Sequence, residues 1–142
     1  MDLKTSLMNL QCEMVAERTV VNPRHISWLQ YDILFQLAKE EEILPSKLSV
    51  ILGISRAKLS KALKDLKFSG YIRQSPNQTD GRELCTSITE EGRSLLADIS
   101  AEHTALYHTA LKALTKDEQE EFSRLSDKVS SALKAERLSG RK

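Results

Sequence analysis

Apolar residues at helical spacing recur along almost the whole chain and give way to strand-like alternation in one place, residues 71–88. Leu3, Leu7, Leu10 and Met14 form a first stripe, and Leu29, Ile33, Leu34 and Leu37 a second. Leu48, Ile51 and Leu52 make a third, and Leu59, Ala62, Leu63 and Leu66 a fourth. Then Tyr71-Ile72-Arg73-Gln74 reads as a short strand, and residues 75–81 are dense in turn formers. Leu84, Thr86 and Ile88 alternate with Glu83, Cys85 and Ser87 as a second strand. Helical spacing returns with Leu95, Leu96, Ile99, Leu106, Ala110, Leu111 and Leu114, predicting one helix from Glu90 to Leu114, about 37 Å long at 1.5 Å per residue. Phe122, Leu125, Val129, Ala132 and Leu133 line the last helix.

Boundary residues support this division. Thr19-Val20-Val21-Asn22-Pro23 breaks the first helix after about Arg18. Ser27 with Gln30, and Thr115 with Glu118, have the spacing of capping boxes. Pro45 suits a first helical position, Ser55 and Thr89 suit N-caps, and Gly53 and Gly70 suit helix stops. Ile43-Leu44 reads as a short apolar hinge. The expected fold is mainly α with a small β-hairpin wing, a winged helix-turn-helix with six helices. It fits a single domain over 1–142, with the winged region at 23–89 and flanking helices at 1–22 and 90–142. The flanking stripes are too extensive for so small a domain to cover, which predicts a homodimer with those helices as its dimerisation body.

No apolar run reaches the roughly 18 residues of a membrane span, and residues 1–5 lack the apolar stretch of a signal peptide, so a cytoplasmic protein without a membrane partner is expected. Two cysteines, Cys12 and Cys85, make no disulfide scaffold. A net charge of +1 argues against a nucleic-acid partner only if it is evenly spread. It is not. Residues 53–82 hold seven basic side chains and two acids, a balance of +5, whereas the other 112 residues balance to −4. Within the fourth helix Arg56, Ser60, Lys61 and Lys64 lie away from the apolar stripe, just after the Ser55 cap. Cations and a hydroxyl on one helix face suit phosphate contacts and base-edge hydrogen bonds in a DNA major groove.

Three fragments in order resemble the MarR family of bacterial transcription regulators. Residues 48–55 are similar to its helix and turn before the recognition helix. Leu66 through Gly70-Tyr71-Ile72-Arg73 is similar to the recognition-helix exit. Asp80-Gly81-Arg82, followed by residues 84–92, resembles its D-x-R wing tip and Leu-Thr-x-x-Gly helix start. The resemblance implies a homodimeric regulator, expected to repress, on a palindromic operator in double-stranded DNA. Arg82 would enter the minor groove with Asp80 buttressing it, Lys58, Ser60 and Lys61 would touch DNA, and Arg73 would reach the backbone. Three features depart from the family pattern: the first helix and its loop to Ser27 are short, Ile88 replaces a Leu, and Leu44 stands where a Ser or Thr often caps the third helix. That cap must come from elsewhere or leave the hinge loose.

The resemblance also implies a small aromatic or phenolic effector, with His25, Trp28 and Tyr31 as candidates and Arg24 as an anion partner. Trp28 itself reads first as a core anchor. In some family members a first-helix cysteine senses peroxide, which makes Cys12 a redox candidate; Glu13 beside it disfavours the thiolate, and a packed, inert thiol is expected. Cys85 reads as structural. His25, His103 and His108 lack metal-ligand spacing, and there is no Gly-rich phosphate loop and no nucleophile with a base. No cofactor, metal or enzymatic activity is expected. The alternatives are a redox-sensing regulator acting through Cys12 and a winged-helix protein-interaction module. The latter would need neither the +5 segment nor the wing arginine.

Overall fold

Side-chain caps set most of the helix starts. In a computed structural model, which describes residues 1–23, 25–77 and 82–140, the Asp2 carboxylate accepts from the Thr5 amide at 2.8 Å and opens α1 (Leu3–Val20). Ser27 and Gln30 form the expected reciprocal box at α2 (Trp28–Ala38). Pro45 occupies the first turn of α3 (Pro45–Leu52), and Gly53 ends it in the left-handed conformation, φ 67°. The Ser55 hydroxyl accepts from the Lys58 amide and starts α4 (Arg56–Phe68). A capping box of Thr115 and Glu118 starts α7 (Lys116–Leu138). Each such cap satisfies N–H groups that the helix itself cannot, at about 1 kcal/mol apiece.

Strands β1 (Ile72–Pro76) and β2 (Leu84–Ile88) pair antiparallel, with Ile72 opposite Ile88 and Pro76 opposite Leu84. The Ile43-Leu44 hinge also takes part. Ile43 exchanges two backbone hydrogen bonds with Thr86, at 2.9 and 3.0 Å, and so adds one bridge of a third strand. Thr86 and Ile88 face inward as expected, but Leu84, at the strand's outer end, is exposed. Thr89 joins hairpin and helix: its hydroxyl donates to the Gly70 carbonyl and accepts from the Gly92 amide at the start of α5 (Glu90–Glu102). Gly92 is needed there, because a Cβ would lie 2.2 Å from the Tyr71 carbonyl oxygen.

The core lies within the winged region. Ile33, Leu34 and Leu37 of α2 meet Leu48 and Ile51 of α3, Leu59, Ala62, Leu63 and Leu66 of α4, and Ile43, Ile72 and Ile88. Complete burial of one such side chain contributes roughly 1.5–3 kcal/mol. Ile99 of α5 is buried as well. By contrast α1, α7 and α6 (Ala105–Ala113) bury no residue at all, so their apolar stripes stay in the open.

The long helix expected from Glu90 to Leu114 is in fact two. α5 ends at Glu102, and His103 (φ −110°, ψ 66°) and Thr104 (φ −104°, ψ 5°) leave helical geometry before α6 begins. The described residues therefore contain seven helices, not six. No Gly or Pro marks the break. It falls where the His103 ring meets the Trp28 ring edge-on at 5.4 Å.

Candidate nucleic-acid interface

α4 turns Leu59, Ala62, Leu63 and Leu66 inward and leaves Arg56, Lys58, Ser60, Lys61, Lys64 and Lys67 exposed, with Ser55 exposed at its cap. The exposed set is divided by helical spacing. Arg56, Ser60, Lys64 and Lys67 line a groove of about 320 Å³ between α4 and the hairpin, and Arg82 and Glu83 line its opposite wall. Lys58 and Lys61 lie off this groove on the outer side of α4. Arg73 is exposed on β1, paired with Ser87 across the hairpin. Asp80 lies outside the described residues.

Lys67, Gln74 and Glu83 also border the groove and belong with the DNA-facing candidates. Lys67 was visible as three residues beyond Lys64 on the same face. Glu83 was signalled only by the missing cap at Leu44. That N-cap has no side-chain hydrogen bond. Instead, Glu83 Oε1 accepts from the Ser46 amide at 2.5 Å and Oε2 from the Ser46 hydroxyl at 3.1 Å. Oε1 also receives Arg56 Nη2 at 3.4 Å. A carboxylate at a helix N-terminus is favoured by the helix dipole, while the half-exposed ion pair contributes under about 1 kcal/mol.

The effector candidates do not form one constellation. Trp28 and Tyr31 wall a cavity of about 300 Å³ with Arg18, Ser100, His103 and Leu106. Trp28 acts as an anchor here, with its Nε1 donating to the carbonyls of Arg18 and Val21 at 2.9 and 2.8 Å. Tyr31 meets Trp28 edge-on at 5.3 Å and shares a hydrogen bond with the Ser100 hydroxyl. The Arg18 guanidinium lies 4.8 Å over the Trp28 ring and binds Asp32 through both terminal nitrogens, at 2.7 and 2.8 Å. That carboxylate raises the Arg18 pKa further above its ordinary value. His103 Nε2 is buried at the cavity without a hydrogen-bond partner. His25, at φ 70°, borders a different and more open cavity of about 480 Å³, rimmed by Glu90, Glu91, Asp98 and Glu102. Arg24 lies outside the described residues.

Cys12 is exposed on α1, not packed as expected, because α1 buries nothing. Cys85 is partly buried, and burial first, then the nearby Glu42 carboxylate, pushes its thiol pKa up. Among the described residues no three His, Cys, Asp or Glu side chains are grouped to hold a metal ion, and no helix is long and apolar enough to cross a membrane.

The model of the MarR family matches residues 26–83, from the loop before α2 to the base of the wing. Over that winged region the chain is similar to the MarR family. The HTH-type transcriptional regulator YwaE of Bacillus subtilis is 28% identical over 132 residues, covering 93% of this chain and 76% of its own. The transcriptional repressor MprA of Escherichia coli is 26% identical over 129 residues, covering 89% and 73%. A MarR variant from Escherichia coli, solved in complex with operator DNA, superposes with a TM-score of 0.64 at 22% identity, covering 91% of this chain and 99% of that one. The MarR winged-helix fold is thus shared from α1 to α7. The two relatives, YwaE and MprA, are by name transcription regulators.

Proposed function

We propose that two copies of this chain form a repressor that binds double-stranded DNA at a palindromic operator. One observation carries this reading: Arg56, Ser60, Lys64 and Lys67 of α4 and Arg82 of the wing converge on a single exposed groove. α4 enters the major groove and Arg82 the adjacent minor groove, whose narrow form concentrates negative potential. Ser55, Lys58, Lys61 and Arg73 flank these contacts and reach phosphates, and Asp80 supports the wing tip. Convergent cations from two elements favour DNA over a protein partner, which would need neither. MprA is by name a repressor and MarR has been solved on its operator, which supports the same role here.

Residues 23–89 serve as the DNA-binding region, and 1–22 with 90–142 as the dimerisation body. Support comes from Phe122, Leu125, Val129 and Leu133, which follow one another along α7 at 44–45% exposure. A monomer gains nothing by leaving that stripe in water. The aromatic cavity at Trp28, Tyr31 and His103 is the place for a small aromatic effector that lowers DNA affinity. The unpaired His103 Nε2 offers such a molecule a polar contact.

Selection of bound duplexes from a random DNA pool tests the proposal. The expected product is an inverted repeat with half-sites about 10 bp apart. Failure to enrich any sequence would refute it.

A further inference from the structure

Glu83 is an acid in a groove that otherwise presents cations to a polyanion. Like charge makes it unfavourable there unless it does something a neutral residue cannot. Both of its oxygens are engaged. One carboxylate holds the Ser46 amide and hydroxyl at the start of α3 and the Arg56 guanidinium in the first turn of α4. Its backbone carbonyl accepts from the Asn77 amide at 3.3 Å, across the base of the wing. Arg82 is its immediate neighbour in the chain, about 3.8 Å away between Cα atoms. The two cations that read DNA from different elements, Arg56 from the helix and Arg82 from the wing, are therefore referred to one anchoring carboxylate.

We infer that Glu83 is a positioning residue for sequence discrimination: it sets the wing against α3 and holds Arg56 so that both engage only a correctly shaped site. The inference rests on the DNA-binding reading above and concerns how that surface is made selective. Removing the carboxylate deletes a negative charge from the interface, which by itself strengthens binding to any phosphate backbone. It also frees the wing and Arg56 to adapt to incorrect sites. Discrimination should therefore fall even where general affinity does not.

The test compares the wild-type chain with Glu83→Ala and Glu83→Gln on two duplexes, one enriched from a random pool by the wild type and one scrambled to the same composition. Glu83→Ala is expected to lower the ratio of the two affinities about tenfold, with scrambled-duplex binding unchanged or tighter. Glu83→Gln keeps an oxygen for the Ser46 amide but loses the ionic hold on Arg56, so its ratio should fall about threefold. An unchanged ratio in Glu83→Ala overturns the inference. So does an equal loss on both duplexes, which marks a purely structural cap. If Glu83→Ala does not fold, Glu83→Gln decides by the same criterion. A wild type that enriches no sequence defeats the DNA-binding reading, and this inference with it.

Discussion

Arg137, in the last turn of α7, donates its Nε to the carbonyl of Ile51 in α3 at 3.1 Å, across 86 positions of sequence. Ile51 is in the last turn of its helix, where carbonyls lack helical partners and cations are favoured. The Arg137 Cδ also lies 3.9 Å from where a Gly53 Cβ would stand. A helix of the proposed dimerisation body thus reaches the turn that leads into α4. Arg137→Ala should lower stability by about 1 kcal/mol. It should also speed hydrogen exchange at the Gly53 and Ile54 amides. Unaltered melting and exchange would show that the contact couples nothing.

Gly92 leaves no room for a side chain. Its Cβ would meet the Tyr71 carbonyl at 2.2 Å and Ile88 Cγ1 at 2.7 Å, one of them backbone. Gly92→Ala should cost about 1–3 kcal/mol by forcing α5 away from the hairpin. Urea denaturation measures this, and a cost below experimental error would mean that the two elements separate freely.

Leu125 and Val129 lie at the middle of the exposed α7 stripe. Replacing both with Glu should convert the dimer to a monomer whose winged region remains folded, because neither touches the core. Sedimentation equilibrium with circular dichroism reads both quantities. A wild type that already sediments as a single chain would remove the dimer from the proposal.

Arg82→Ala should weaken binding to the enriched duplex at least tenfold and leave dimerisation unaltered. The slope of log affinity against log salt should become shallower by up to about 1, as for one lost phosphate-type contact. Equal affinity with and without this side chain would refute its assignment to the wing tip.

The two thiols should react at different rates. Burial and the Glu42 carboxylate raise the Cys85 pKa, so less of it is thiolate at mildly alkaline pH, while Cys12 is exposed. Alkylation near pH 8 should label Cys12 first, with Cys85 catching up as pH rises. Mass spectrometry of the labelled peptides reads the order directly, and Cys85 reacting first would contradict the packing around β2.

What was legible in the sequence was chiefly local. The Ser27–Gln30 and Thr115–Glu118 boxes, the Ser55 cap and the α4 stripe depend on residues three or four apart, and each has the expected partner. The features that local sequence does not carry join distant residues. Nothing near Leu44 says that its helix is capped by Glu83, or that Ile43 pairs with Thr86. Nothing near His103 announces a helix break, and the ring that meets His103 there, Trp28, lies far back in the chain. The effector candidates all lie in one stretch, residues 24–31, but the fold sends His25 and Trp28 to different cavities and puts Arg18 and His103 beside Trp28.

The interruption at His103–Thr104 has a mechanical consequence. On one side α5 is anchored by Leu95, Leu96 and Gly92 to the winged region, and on the other α6 is free of that core. Two non-helical residues therefore separate α5 from α6, and the aromatic cavity opens beside them. α5 is about 20 Å long at 1.5 Å per residue, so a swing of about 10° there displaces its far end by roughly 3.5 Å. That is more than half the roughly 6 Å width of a DNA minor groove. In the effector reading proposed above, a molecule wedged beside Trp28 would sit at the fulcrum of a lever whose other arm carries the wing.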